Sequence, residues 1–194
     1  MKKYLVLFVF FSFYNATGAF GNPFGISFGM SHEQIENISR TQPLIIEGWH
    51  IITPPNTHVL FEIYAVRIHP TYGVYIIRAI SRDISTNRYG TELTGHFNNL
   101  VSNLERLYGD YYRIDRLNPE ERIFNRAQDF MHTLSRGTRE LAVFWHREEG
   151  SRLPDDIYEI IIYVEARTSR AGNIVIEYYS MNFERIEKER FSVF

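Results

Sequence analysis

Ile157-Tyr158-Glu159-Ile160-Ile161-Ile162-Tyr163-Val164-Glu165-Ala166-Arg167 is a long run of β-forming residues from which the fold class follows. After Ser169-Arg170-Ala171-Gly172-Asn173 it is answered by Ile174-Val175-Ile176-Glu177-Tyr178-Tyr179. β-Branched and aromatic residues on both sides of a short polar turn predict an antiparallel hairpin, with strands over 157–167 and 174–183. Alternation puts Tyr158, Ile160, Ile162, Val164 and Ala166 on one face. Upstream, Leu141, Val143 and Trp145 alternate within Glu140 to Arg147 and add a third strand.

The first half of the chain repeats this pattern. Pro43-Leu44-Ile45-Ile46-Glu47 leads into His50-Ile51-Ile52, and Thr53-Pro54-Pro55-Asn56 ends the run. Val59 to His69 and Val74 to Ile84 flank Pro70-Thr71-Tyr72-Gly73, a second hairpin.

Helical signals lie between the strand blocks. Ser31 with Gln34 forms a capping box, and Met30 with Ile35 the hydrophobic staple, so a first helix is expected from His32 to Ser39. Leu93, Phe97, Leu100, Val101, Leu104, Leu107 and Tyr108 make one apolar stripe, and Gly109 stops that helix. Asn118-Pro119-Glu120-Glu121 starts a third helix, with Ile123, Ala127, Phe130, Met131 and Leu134 inward and Gly137 at its end. Phe20 to Phe24 reads as a short first strand, and Glu184 to Phe194 as a charged, partly ordered tail. The class is α+β: an antiparallel meander sheet or sheets with three helices packed on one side, in the order α-βββ-αα-βββ. One domain over residues 20–194 is expected, with a weak twofold repetition of helix and meander.

The first residues have a separate purpose. Met1-Lys2-Lys3 is followed by an apolar run from Tyr4 to Tyr14, then by Asn15-Ala16-Thr17-Gly18-Ala19. Charged, apolar and small-residue regions in that order predict a secretory leader over residues 1–19, cleaved after Ala19. The run is short for an uncleaved membrane anchor, which wants about 20 apolar residues. An exported protein, periplasmic or secreted, without stable membrane insertion is the expectation. Losing Lys2 and Lys3 moves the formal charge from −2 to −4. Without a long basic block, nucleic acid is not an expected partner.

The chain has no cysteine, which excludes disulfides, thiol nucleophiles and thiolate zinc sites. After the leader Lys188 is the only lysine, and the other cations are arginine. With 13 tyrosines in the chain, this bias reads either as an interface-rich surface or as codon usage.

Gly25-Ile26-Ser27-Phe28-Gly29 matches the nucleophile-elbow pattern, but it lacks the strand-helix alternation that motif requires and reads as accidental. His50 and His58 face each other across the Pro-Pro turn on paper, yet two imidazoles make a poor zinc site. Glu62, Asp83, Asp110, Asp115, Asp155 and Asp156 are candidate acids, most of them beside turns where Asp serves local hydrogen bonding. No cofactor or metal is implied. Tyr108-Gly109-Asp110-Tyr111-Tyr112 is either a binding patch or a cover for the end of the core.

Phe24-Gly25-Ile26-Ser27-Phe28-Gly29-Met30-Ser31-His32-Glu33-Gln34-Ile35 resembles the opening of small exported bacterial α+β proteins. These are the SmpA/OmlA-type outer-membrane assembly lipoproteins and the β-lactamase inhibitor proteins. The resemblance covers about a dozen residues, and the lipobox cysteine is missing. It implies helices on a meander sheet and a job done by binding proteins; the inhibitor proteins carry two such units.

A non-enzymatic protein-binding module, an inhibitor or immunity-type factor, is therefore the first functional expectation. A small cell-envelope hydrolase using carboxylate or His-carboxylate chemistry is the second, and an envelope structural protein the third. The contact residues expected are Tyr72 at the hairpin tip, Tyr111 and Tyr112 after the second helix, and Trp145 and Arg147 on a strand, with Trp145 equally a core residue. Export is checked by N-terminal sequencing of the periplasmic product, which should begin Phe20-Gly21-Asn22. An intact leader in the membrane fraction would reject it.

Overall fold

The computed structural model describes residues 22–40 and 44–191. The expected leader, Phe20, Pro43 and the last three residues lie outside them. The protein is α+β, with nine antiparallel strands in one sheet. Strands β1 (Leu44–Ile46), β2 (Trp49–Ile52), β3 (Phe61–His69) and β4 (Gly73–Ser81) form one meander. Strands β6 (Tyr112–Leu117), β7 (Arg139–His146), β8 (Ile157–Thr168) and β9 (Ala171–Ser180) form another. The order is β1-β2-β3-β4-β9-β8-β7-β6, so the last strands of the two meanders meet at the centre. The short β5 (Ile84–Ser85) pairs with the start of β9.

The helices are α1 (His32–Ile38), α2 (Thr91–Tyr108), α3 (Phe130–Ser135) and α4 (Phe183–Phe191). The capping box of α1 forms as the sequence predicts: the Ser31 hydroxyl accepts from the Gln34 N–H, and Gln34 Oε1 accepts from the Ser31 N–H. The stripe of α2 buries Leu93, Phe97, Val101, Leu104 and Tyr108. Gly172 lets this helix lie against β9. A Cβ there would come 2.6 Å from the Glu165 carbonyl oxygen and 2.8 Å from Leu93 Cδ2. Helices α1, α2 and α3 share one core with Val66, Ile77, Val143, Trp145, Ile160, Ile162 and Ile176 from the sheet.

The structure differs from these expectations at several points. The run before Thr53 is two strands, because Glu47 (φ 50°) and Gly48 (φ 79°) form a tight turn. Turns of this kind need two left-handed residues, and glycine supplies one without steric cost. The region after Gly109 is the strand β6. The third helix is broken: Asn118 caps a 3-10 turn over Pro119–Phe124, and a true α-helix begins only at Phe130. Ile123, placed inward by the periodicity, is 77% exposed. Phe24 has φ 58° inside a 3-10 turn at Pro23–Gly25, so the described part of the expected first strand is a turn. Finally, the helices do not all lie on one side. The charged tail forms α4 on the opposite face, where Ile186 is 3% exposed and packs with Tyr75 and Ile76.

That opposite face also buries charge. Glu177 on β9 sits directly across from Arg78 on β4 and forms an ion pair with it. The Tyr163 hydroxyl donates to Glu177 at 3.3 Å, and the Tyr179 hydroxyl donates to its other oxygen. The Arg78 guanidinium lies 3.9 Å from the centroid of the Trp49 ring. Burial first, then the Glu177 charge, pushes both phenols well above the ordinary tyrosine range. Removing one partner of a buried pair leaves the other charge uncompensated. Glu177→Ala is expected to cost about 3 kcal/mol, the low end of that penalty since Arg78 keeps some solvent. Urea unfolding checks this, with exposed Glu165→Ala as the control that moves stability by less than about 0.5 kcal/mol.

Candidate functional site

The five expected contact residues do not form one surface. Tyr72 sits under α4; its hydroxyl donates to Glu189 at 3.0 Å and the Arg185 guanidinium lies over its ring. Trp145 is completely buried, and its indole N–H donates to the Gly109 carbonyl at 3.0 Å. Its neighbour Tyr111 packs against it at 5.4 Å between ring centroids. The Arg147 guanidinium donates to the carbonyls of Leu153, Pro154 and Ile157, which ties the loop before β8 to β7. Tyr112 alone of the five is strongly exposed, at 58%. With Asp110, Tyr111, Phe144 and His146 it lines a hollow of about 190 Å³.

The two ends of the sheet differ in kind. The β6 end carries Arg113, Asp115 and Arg116, engaged respectively with Asn98, Arg139 and Glu140. Charges on an edge strand discourage further strand pairing. The β1 end carries Leu44, Ile45 and Ile46, exposed by 60, 57 and 47%. Among the described residues β1 pairs only with β2, so its outer backbone groups face no strand. The β-type composition of this run is visible in the sequence, whereas its place at the end of the sheet depends on which distant strands pair.

A groove of about 450 Å³ runs between α2 and the β2–β3 loop. From α2 come His96, Asn99, Leu100 and Asn103, at spacings that share one helix face beside the buried stripe. His58, Val59 and Leu60 form the facing wall, and Arg82, Asp83 and Ile84 the end. The wall is held in place. Tyr64 accepts the His58 N–H at 2.7 Å, and Arg82 donates to the Val59 carbonyl at 3.2 Å. The Leu60 N–H donates to His58 Nδ1 at 3.2 Å, which leaves Nε2 as the donor of the neutral ring. Asp83 is turned toward Arg167, 4.0 Å away. The side chains of His96, Asn99 and Asn103 have no hydrogen-bond partner among the described residues. The signal for this face in the sequence is His96, Asn99 and Asn103 at i, i+3 and i+7 beside the apolar stripe, a pattern the stripe alone leaves unassigned.

The histidines pair differently from expectation. His50 on β2 meets His32 on α1, ring centroids 4.8 Å apart, while His58 lines the groove. Glu36 Oε1 lies 3.4 Å from His32 Nδ1. Among the described residues no group of three histidines or acids is arranged to hold a metal ion. No helix among them is long and apolar enough to cross a membrane. The Ser27 turn follows the 3-10 turn at Pro23–Gly25, with no strand before it among the described residues.

No family model, curated protein or solved structure matches this chain significantly.

The His32–His50 contact generates a pH prediction. Burial, then the neighbouring His32 charge, holds His50 below the ordinary 6.5, against the opposite pull of the Val66 backbone and Glu36. The unfolded chain therefore takes up a proton here before the folded one does. Stability is lost as pH falls through about 6.5 toward the lower folded value. Melting temperatures at pH 7.5 and 5.5 test this: His50→Gln should narrow the acid-induced drop, and an unchanged drop would reject the assignment.

Proposed function

We propose that this chain is an exported, non-enzymatic protein-binding module, an inhibitor or immunity-type factor, and that β1 is its docking element. The observation that carries the reading is the contrast between the two sheet ends. One is charged and internally paired, whereas the other offers three exposed aliphatic residues and an open ladder. An extended segment of a partner adds to such an edge by main-chain hydrogen bonds, with alternate side chains supplying specificity.

Two further observations support binding over bond-making. Among the candidate acids, Asp83, Asp115 and Asp155 each face an arginine, and they lie on separate parts of the fold. The arrangement of two meanders, each accompanied by helices, suits the resemblance to the β-lactamase inhibitor proteins. Specific docking of about 800 Å² per partner is larger than three residues supply, so the partner strand continues past β1 onto neighbouring surface.

The test is capture from periplasmic extract by the wild-type chain and by Ile45→Lys, with light scattering of each protein alone. The expected result is a monomer that captures a defined protein at micromolar concentration. The lysine variant loses that protein while keeping its melting temperature. Capture indifferent to Ile45→Lys, an absence of capture, or a dimer that the variant dissociates would each overturn the proposal.

A further inference from the structure

The groove beside α2 is not part of that edge, and its chemistry is different. We infer that it is a binding site for a single-chain amphiphile with a carboxylate head, the apolar chain lying on Leu60, Ile84 and Leu100 and the head held near Arg82. Its volume of about 450 Å³ falls within the range of small-molecule sites. Such sites combine a mainly apolar lining with a few converging polar groups. Here the less exposed lining residues are the three aliphatic ones, and polar side chains surround them.

The sign of the head follows from the charges. Arg82 is a permanent cation, and the His58 and His96 rings add N–H donors to the same lining. The single acid of the lining, Asp83, faces Arg167. Within this lining a carboxylate meets Arg82 while Asp83 is turned to Arg167, and an ammonium head meets like charge; Glu62 lines the adjoining hollow and not this one. Arg82 uses one N–H on the Val59 carbonyl, which orients the guanidinium, and its other donors remain for a ligand. The Asn99 and Asn103 amides, without partners among the described residues, supply neutral donors along the chain's exit. Val59, 83% exposed at the mouth, offers aliphatic surface to the same chain.

The experiment is calorimetric titration of the full mature chain with decanoate, 1-decanol and decyltrimethylammonium, each below its aggregation concentration. The expected result is saturable one-to-one binding of decanoate, at least tenfold tighter than decyltrimethylammonium, with decanol between them. Arg82→Gln should weaken decanoate about tenfold and leave decanol within twofold, as expected for a charged hydrogen bond. Leu100→Trp should fill the groove and abolish binding of all three. Val59→Glu lies at an exposed position and does not threaten the fold; it should weaken decanoate while sparing decyltrimethylammonium. Absence of saturable decanoate binding, equal affinity for the three heads, or indifference to both Arg82→Gln and Val59→Glu would overturn the assignment. These readouts do not involve β1, so they stand or fall separately from the docking edge.

Discussion

The pairing of β4 with β9 holds the architecture together. Residues about 100 positions apart lie opposite one another there, from Ile76 with Tyr179 to Ile80 with Val175. Each partner is also the last strand of its own meander, so this one ladder turns two sheets into one. Buried polar contacts extend it: Asn173 donates to the Ser81 carbonyl, and the Ser81 hydroxyl accepts the Ile174 N–H. Contacts of such sequence separation are slow to form, because loop closure must precede their reward. The meanders and α2 are local by comparison.

A sheet whose centre lies under both meanders must bury two faces, and the protein treats them differently. The face toward α1, α2 and α3 is almost wholly apolar and contains the fully buried Trp145, Ile160 and Ile162. The other face has a short helix and a charged cross-strand pair. Glu177 and Arg78 are opposite by register, and two phenols and the Trp49 ring complete their surroundings. Helix α4 then closes over Tyr72 and Tyr158, whose hydroxyls donate to Glu189 and Glu184. That bond to Glu184 comes first among the causes that raise Tyr158 to about 12.

Available surface appears where this coverage stops. Helix α2 lies over β8 and β9, and beside it the β2–β3 loop leaves the groove. Neither end strand has a second neighbour among the described residues, and the two differ in side-chain chemistry: β6 carries paired charges and β1 three exposed aliphatic residues. The β2–β3 wall of the groove is itself tied down, by the Tyr64 hydroxyl on the His58 N–H and by Arg82 on the Val59 carbonyl.

Local signals made most elements legible in the sequence. The Ser31–Gln34 box, the α2 stripe and the Pro70–Gly73 turn are contacts within a few residues, so they are written in neighbouring positions. The periodicity failed where a single residue changes the phase. A bulge between Ile157 and Glu159 sends Tyr158 to the face opposite Ile160, although the two share parity. The break before Phe130 and the turn at Glu47-Gly48 are failures of the same kind. Composition and short spans of chain suffice for the α+β class, the lack of thiols, the capped start of α1 and the glycine stop of α2. Only the packing of distant elements makes Trp145 core, turns Arg147 to carbonyls, leaves Leu44–Ile46 at the end of the sheet and brings His58 and His96 into one groove. Each of those outcomes depends on which distant strand or helix becomes a neighbour, and periodicity along one strand or helix carries no record of its partners.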